Sequence, residues 1–284
     1  MVPQTAFDTG AITTQDGAKL QYIQAGPADG KQLLLIHGWS QTAAQWRKQL
    51  EYFSANGFRV IAYDQRGHGE SEKVEFGYRV SRLGTDLNEL LIQLDLKDLT
   101  IVGHSMGSSV IWSLWDQHPE SRSRLSKLVF ADQASTMVSN PKWTEAEVAD
   151  ISSCFTPLSL FALTNDLENQ GEVLVRGMFT ESLSESDFQW VMAQNRKLSR
   201  DKAAKLLVDH ATRDWSDVFP RITVPCFVIG AETSLFPPTG IARIATLLPN
   251  AKSYIFKKEE GGNHFMFWEN PELFNRLVHE FATE

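Results

Sequence analysis

The residues Gly103-His104-Ser105-Met106-Gly107 form a G-x-S-x-G motif between an apolar run that reads as a strand and a segment that reads as a helix. On its own the pentapeptide is a weak signal, and its setting gives it weight. A serine at a sharp strand-to-helix turn is held at the carboxyl end of a sheet with its hydroxyl exposed, and small flanking residues are needed because the turn crowds its neighbours. The helix behind it adds a positive dipole end. A serine hydroxyl is a poor nucleophile at neutral pH, so it requires a base within hydrogen-bond reach and an acid to orient that base. His264, in the loop Gly261-Gly262-Asn263-His264-Phe265, is the candidate base. Acyl transfer also needs donors for the developing oxyanion. The backbone N–H groups of Met106, which follows the nucleophile, and of Trp39, in the loop His37-Gly38-Trp39, are the candidates.

These groups must be positioned by the elements around them. Strand-like runs at 11–14, 19–24, Leu33–Ile36, Arg59–Tyr63, Leu99–Val102 and Lys127–Phe130 alternate with helical patterns at Gln45–Ala55, at Leu83, Leu87, Leu90, Leu91 and Leu94, and at Met106–His118. Alternation of this kind predicts an α/β fold with a mostly parallel sheet and helices on both faces. Carboxyl-end loops of such a sheet open on one rim, so Ser105 and His264 can meet despite their sequence separation. From 135 to 215 strand-like runs disappear and helical, Trp-punctuated segments replace them. The sheet pattern resumes at Cys226–Ile229 and Ser253–Phe256, with helices at about 240–248 and 271–281. The expected organisation is therefore a core of 1–134 and 216–284 with a helical cap, or lid, at 135–215.

The 284 residues carry 27 Lys+Arg against 35 Asp+Glu, a formal charge of -8. That acidic balance, with no basic run, argues against nucleic acid and anionic membrane surfaces as partners. The opening segment Met1–Gly10 lacks the features of a secretory leader, and no apolar stretch reaches the ~20 residues needed to cross a bilayer. A cytoplasmic protein is expected. Cys154 and Cys226 are far apart and form no C-x-x-C, and no H-E-x-x-H occurs, so neither a disulfide framework nor a metal site is expected.

Taken together, His37-Gly38-Trp39 with Trp46 seven residues on, Tyr63-Asp64-Gln65-Arg66-Gly67-His68-Gly69-Glu70-Ser71, Leu94-Asp95-Leu96 and Gly103–Gly107 resemble the α/β-hydrolases. The similarity is greatest to the branch of bacterial cofactor-free haloperoxidases, arylesterases and related lactonases. The resemblance implies that the Asp64–Ser71 stretch is a structural turn in which Arg66 and His68 carry no chemistry. It also exposes a departure. Where the family usually places its triad Asp after the strand Cys226–Ile229, this chain has Thr233. Two carboxylates can substitute: Glu232, beside the gap, and Asp132, directly after the strand Lys127–Phe130, a position some members of the fold use. Asp132 is the reading adopted, with Glu232 as the alternative.

The resulting expectation is a cofactor-free hydrolase of a small ester or lactone, in which Ser105 attacks, His264 shuttles the proton and Asp132 orients the imidazole. A small-molecule substrate is the expected partner, and an oligomer is left open. His37, Trp39, His104, Trp143, Phe155, Phe161, Trp190 and Met266 are the candidate substrate-binding residues, and their aromatic character suggests an apolar or aromatic substrate. Competing readings on the same fold are a cofactor-free dioxygenase of N-heteroaromatic compounds, a C–C bond hydrolase and a small-molecule receptor.

Overall fold

The computed structural model describes residues 7–284; residues 1–6, part of the segment read as carrying no leader, lie outside the described residues. Eight strands, β1 (Asp8–Thr13), β2 (Lys19–Ala25), β3 (Lys31–Ile36), β4 (Phe58–Tyr63), β5 (Leu99–His104), β6 (Leu125–Ala131), β7 (Cys226–Ala231) and β8 (Ala251–Phe256), make one sheet. Their order is β1-β2-β4-β3-β5-β6-β7-β8. The β1–β2 and β2–β4 pairs are antiparallel and every other pair is parallel. Unbroken apolar runs are what strands covered on both faces require. Accordingly Leu33–Ile36 and every residue of β5 and β7 are buried.

Alternate residues of β3 feed two cores. Leu34 and Ile36 pack with α2 (Val80–Gln93) and α3 (Met106–Gln117). Leu33 and Leu35 pack on the other face with α1 (Arg47–Ala55) and residues of the C-terminal helix. Helices α2 and α3 approach so closely that a Cβ on Gly84 would come within 2.8 Å of the Ser113 Cβ.

Between β6 and β7 the chain forms five helices, α4 (Glu145–Ile151), α5 (Pro157–Asn165), α6 (Leu167–Gly177), α7 (Glu185–Asn195) and α8 (Arg200–Ala211). Among the described residues, Val138 and Phe155 form an isolated parallel bridge in this stretch. Sequence patterning does not single out α4 or α6, and burial explains why. Helix α4 buries no residue, and α6 buries only Leu167, Gly171 and Val175. Helices α9 (Pro238–Leu247), α10 (Met266–Glu269) and α11 (Pro271–Thr283) complete the chain. No helix among the described residues is long and apolar enough to cross a membrane.

One turn ties these layers to the site. In the β4–α2 connection, the fully buried Arg66 guanidinium makes a two-pronged pair with Asp86 of α2 (2.8 and 2.7 Å) and a further bond to Asp16 (2.8 Å). The Asp64 carboxylate accepts from the N–H of Ala43 (2.7 Å) and of Glu70 (2.8 Å). The connection therefore braces the loop that runs from β3 into α1. Removing one partner of a buried pair leaves an uncompensated charge, at a cost of about 3–5 kcal/mol. Asp86→Ala is expected to lower unfolding free energy in urea by about that amount, and a loss under ~1 kcal/mol, typical of an exposed pair, would contradict the assigned role.

Candidate active site

The site begins where two neighbouring strands end. His104 of β5 lies opposite Ala131 of β6, which makes Ser105 and Asp132 the next residues in register. The ladder continues one step further: Ser105 N–H donates to Ala131 O (2.8 Å), and Asp132 N–H donates to Ile229 O (2.7 Å). The chain then turns sharply at both points, with φ of 52° at Ser105 and 54° at Asp132. Positive φ is uncommon for residues with a Cβ and is kept only where the surroundings over-determine it. At Ser105 the glycines permit the turn. A Cβ on Gly103 would lie 2.6 Å from the Gly107 carbonyl carbon, and one on Gly107 would fall on the Ile36 carbonyl.

The loop after β3 lies directly against the serine, since a Cβ on Gly38 would meet the Ser105 Cβ at 3.0 Å. Met106 occupies the first position of α3, where an amide has no acceptor within the helix. The Trp39 amide also has no hydrogen bond among the described residues, while the next amide, Ser40 N–H, donates to His68 Nε2 (3.2 Å). His68 Nδ1 donates to Arg66 O (3.0 Å). His37 Nδ1 donates to Gly38 O (2.8 Å), and His37 Nε2 accepts from Gln65 N–H (3.1 Å). Burial pushes both imidazoles below their ordinary pKa, and the neutral rings act as fixed struts for this loop.

His264 arrives on the loop after β8. Its Nδ1 lies 2.6 Å from Asp132 Oδ2. Nδ1 therefore carries the proton in the neutral ring, leaving Nε2 with its lone pair and no partner among the described residues. The His264 amide donates to Asn263 Oδ1 (2.8 Å), and His104 Nε2–H donates to the His264 carbonyl (2.8 Å). Ser105, His264 and Asp132 are only 8%, 2% and 0% exposed. Burial pushes the His264 imidazole down and the Asp132 carboxyl up, driving each toward its uncharged form.

The position of the missing family acid is filled by hydrogen bonds of another kind. Thr233 donates through its amide (2.9 Å) and its hydroxyl (2.7 Å) to Gly262 O, bracing the histidine loop. Ser234 donates its hydroxyl to Asp132 Oδ2, the same oxygen that faces His264. Glu232 points elsewhere, accepting from Lys258 N–H (2.8 Å). Ser234 has no signal in the sequence apart from adjoining Thr233.

The other candidate residues disperse. Trp39 donates its indole N–H to Ala203 O of α8 (2.8 Å). Met266 is fully buried at the start of α10, and Phe155 bonds through its amide to Met137 O (2.9 Å). Trp143 is half-buried ahead of α4. Phe161 is 50% exposed, and Trp190 stacks on Trp268 (5.0 Å between ring centroids) beneath Arg47. His210 is buried on α8 with neither ring nitrogen hydrogen-bonded within the described residues.

Because burial raises the Asp132 carboxyl from its unfolded value of ~3.9 to about 7, the resulting destabilisation is absent below the unfolded value, grows as pH rises toward the folded one and is constant above it. Asp132→Asn is therefore expected to raise Tm more at pH 8 than at pH 5. A Tm below wild type at pH 8 would show that the carboxylate stabilises the fold.

Comparison with known proteins places the fold. The family model for the alpha/beta hydrolase fold matches residues 31–271. A non-heme chloroperoxidase of Kitasatospora aureofaciens is 29% identical, over 96% of this chain and 98% of its own. A 3-oxoadipate enol-lactonase of Acinetobacter baylyi is 27% identical over 94% of each chain. Among solved structures, an esterase from Exiguobacterium antarcticum superposes with a TM-score of 0.85 at 23% identity, covering 96% of this chain and 99% of that one. Strand order and whole-length similarity agree, and the chain belongs to the α/β-hydrolases, in the branch that holds the non-heme haloperoxidases and esterases.

Proposed function

We propose that this protein is a serine hydrolase of a carboxylic ester or lactone, acting on a small, largely apolar or aromatic substrate. The observation that carries the reading is the 2.6 Å contact between Asp132 Oδ2 and His264 Nδ1, which fixes the tautomer whose Nε2 can accept a proton. In this scheme Ser105 Oγ attacks the substrate carbonyl as His264 Nε2 takes its proton, and Asp132 stabilises the imidazolium that forms. The Trp39 and Met106 amides receive the oxyanion. Collapse expels the alcohol, which takes the proton from His264; in a lactone that alcohol stays tethered to the acyl chain. Water, deprotonated by His264, then cleaves the acyl-enzyme and releases the acid.

The similarity to an enol-lactonase and to an esterase fold supports the ester or lactone class. The similarity to a chloroperoxidase, and that of half the chain to a bifunctional esterase/perhydrolase, favours a second reading of the same site, in which hydrogen peroxide replaces water at the acyl-enzyme and a peroxy acid is released. Residues 135–215 are assigned the role of a lid. Ser105 is 8% exposed, in keeping with a nucleophile screened from bulk solvent. The stacked pair Phe179 and Phe265 (4.4 Å), the latter beside His264, gives an apolar wall suited to an aromatic or alkyl group.

A fluorophosphonate should place a single adduct on Ser105, seen by intact mass and peptide mapping, and the adduct should be lost in His264→Ala. Asp132→Asn should lower kcat on an aryl ester by ~10⁴-fold, whereas Glu232→Gln should leave it unchanged. No adduct on folded protein would overturn the hydrolase reading in favour of a receptor or dioxygenase. Equal turnover by Asp132→Asn would move the acid elsewhere.

A further inference from the structure

The loop that carries the Trp39 amide is held from the cap side by a small set of hydrogen bonds. Arg200, at the start of α8, is half-buried. Its Nη2 donates to Ser40 Oγ (3.1 Å), Asn195 O (2.6 Å) and Leu198 O (2.7 Å), and its Nη1 donates to Asn195 Oδ1 (2.8 Å). Ser40 Oγ donates in turn to Asn195 O (2.9 Å). Trp39 is anchored to the same helix through Ala203 O, and Thr42 donates to Gln194 Oε1 at the end of α7 (3.2 Å). Ser40 has a φ of 55°, and its amide is held by His68. The residues flanking the Trp39 N–H are thus tied to the helices of 135–215 and to the β4–α2 turn, while that N–H itself has no hydrogen bond among the described residues. None of the Arg200 bonds goes to a carboxylate, so the guanidinium is burying a charge to satisfy carbonyls and one hydroxyl. Asn195 O and Leu198 O lie at and just past the end of α7, so the same guanidinium caps that helix while reaching across to Ser40.

We propose that Arg200 is a positioning residue for the oxyanion donor: by joining the α7–α8 turn to Ser40 it aligns the Trp39 amide only when the cap is seated on the core. The inference rests on the hydrolase reading above. It makes cap closure and assembly of the oxyanion site one event, so that a substrate held beneath an open cap is bound but not activated. Such a device acts on the transition state more than on the ground state.

The test uses Arg200→Met, Arg200→Lys and the smaller change Ser40→Ala, with active sites counted by fluorophosphonate titration. For each, kcat and KM on an aryl ester are measured beside the inhibition constant of an aryl boronic acid, whose tetrahedral adduct on the serine places an oxygen where the oxyanion forms. A misplacement of about 1 Å costs ~10²-fold, so Arg200→Met should lose roughly that in kcat and in boronate affinity together. KM should stay within about threefold, because ground-state binding is not the target. Lysine, which cannot reproduce the planar fork, should not restore the loss. Ser40→Ala should show the same pattern at ~10-fold, a modest share of the cost of losing a whole oxyanion donor. A loss confined to KM, or unchanged kcat and boronate affinity per active site in Arg200→Met and Ser40→Ala, would overturn the inference. Wild-type protein that takes no fluorophosphonate and turns over no ester would instead remove the hydrolase reading beneath it.

Discussion

The parallel hydrogen-bond ladder, carried one residue past the ends of β5 and β6, is the constraint on which the site depends. It holds Ser105 against Ala131 and Asp132 against Ile229, and only then lets the chain turn into the unfavourable backbone region that both residues occupy. Strain of this kind persists when buried, bonded strands stand behind it. The rest follows from that placement. Gly103 and Gly107 must lack side chains for the turn to close, Gly38 must lack one for the β3 loop to reach the serine, and the β4–α2 turn must be pinned through Arg66 for the β3 loop to stay there. The buried struts His37 and His68 contribute by remaining uncharged, which their desolvation ensures.

Much of this was legible from residue order. Strands covered on both faces produce apolar runs without alternation, and all eight strands fall close to where such runs or their weaker β-rich counterparts lie. Ser105 stood out because its neighbours are small and its flanks switch from strand to helix. His264 stood out because it follows the last strand. Asp132 became readable only through a vacancy, the threonine at 233, and the contact with His264 Nδ1 answers to that vacancy. What sequence patterning misses is whatever depends on partners far along the chain. Ser234 meets Asp132 from 102 residues away, and Arg200 meets Ser40 from 160. The aromatic residues of 135–215 illustrate the same limit. Phe161 and Trp190 resemble pocket residues in composition, yet one is half exposed and the other is committed to Trp268. Burial of a helix face is set by what it lands on, and short amphipathic helices such as α4 encode little of that.

Replacement of the usual acid has redistributed work rather than left a gap. In the segment after β7, Thr233 now fastens the histidine loop and Ser234 supplies a proton donor to the carboxylate that lies on the neighbouring strand. A donor to Asp132 Oδ2 disperses its charge in a site where Oδ1 has no hydrogen bond within the described residues. The carboxylate thus keeps its acceptor character toward His264 while its surroundings remain largely apolar.

The stack of Trp190 on Trp268, itself four residues from His264, joins helix α7 to helix α10, with the Arg47 guanidinium 4.7 and 4.5 Å from the two rings. Two indoles at 5.0 Å and 15° are electronically coupled, and the coupling falls away steeply as they separate. The protein therefore carries an intrinsic optical gauge of the contact between α7 and α10, which near-ultraviolet circular dichroism can read without any label.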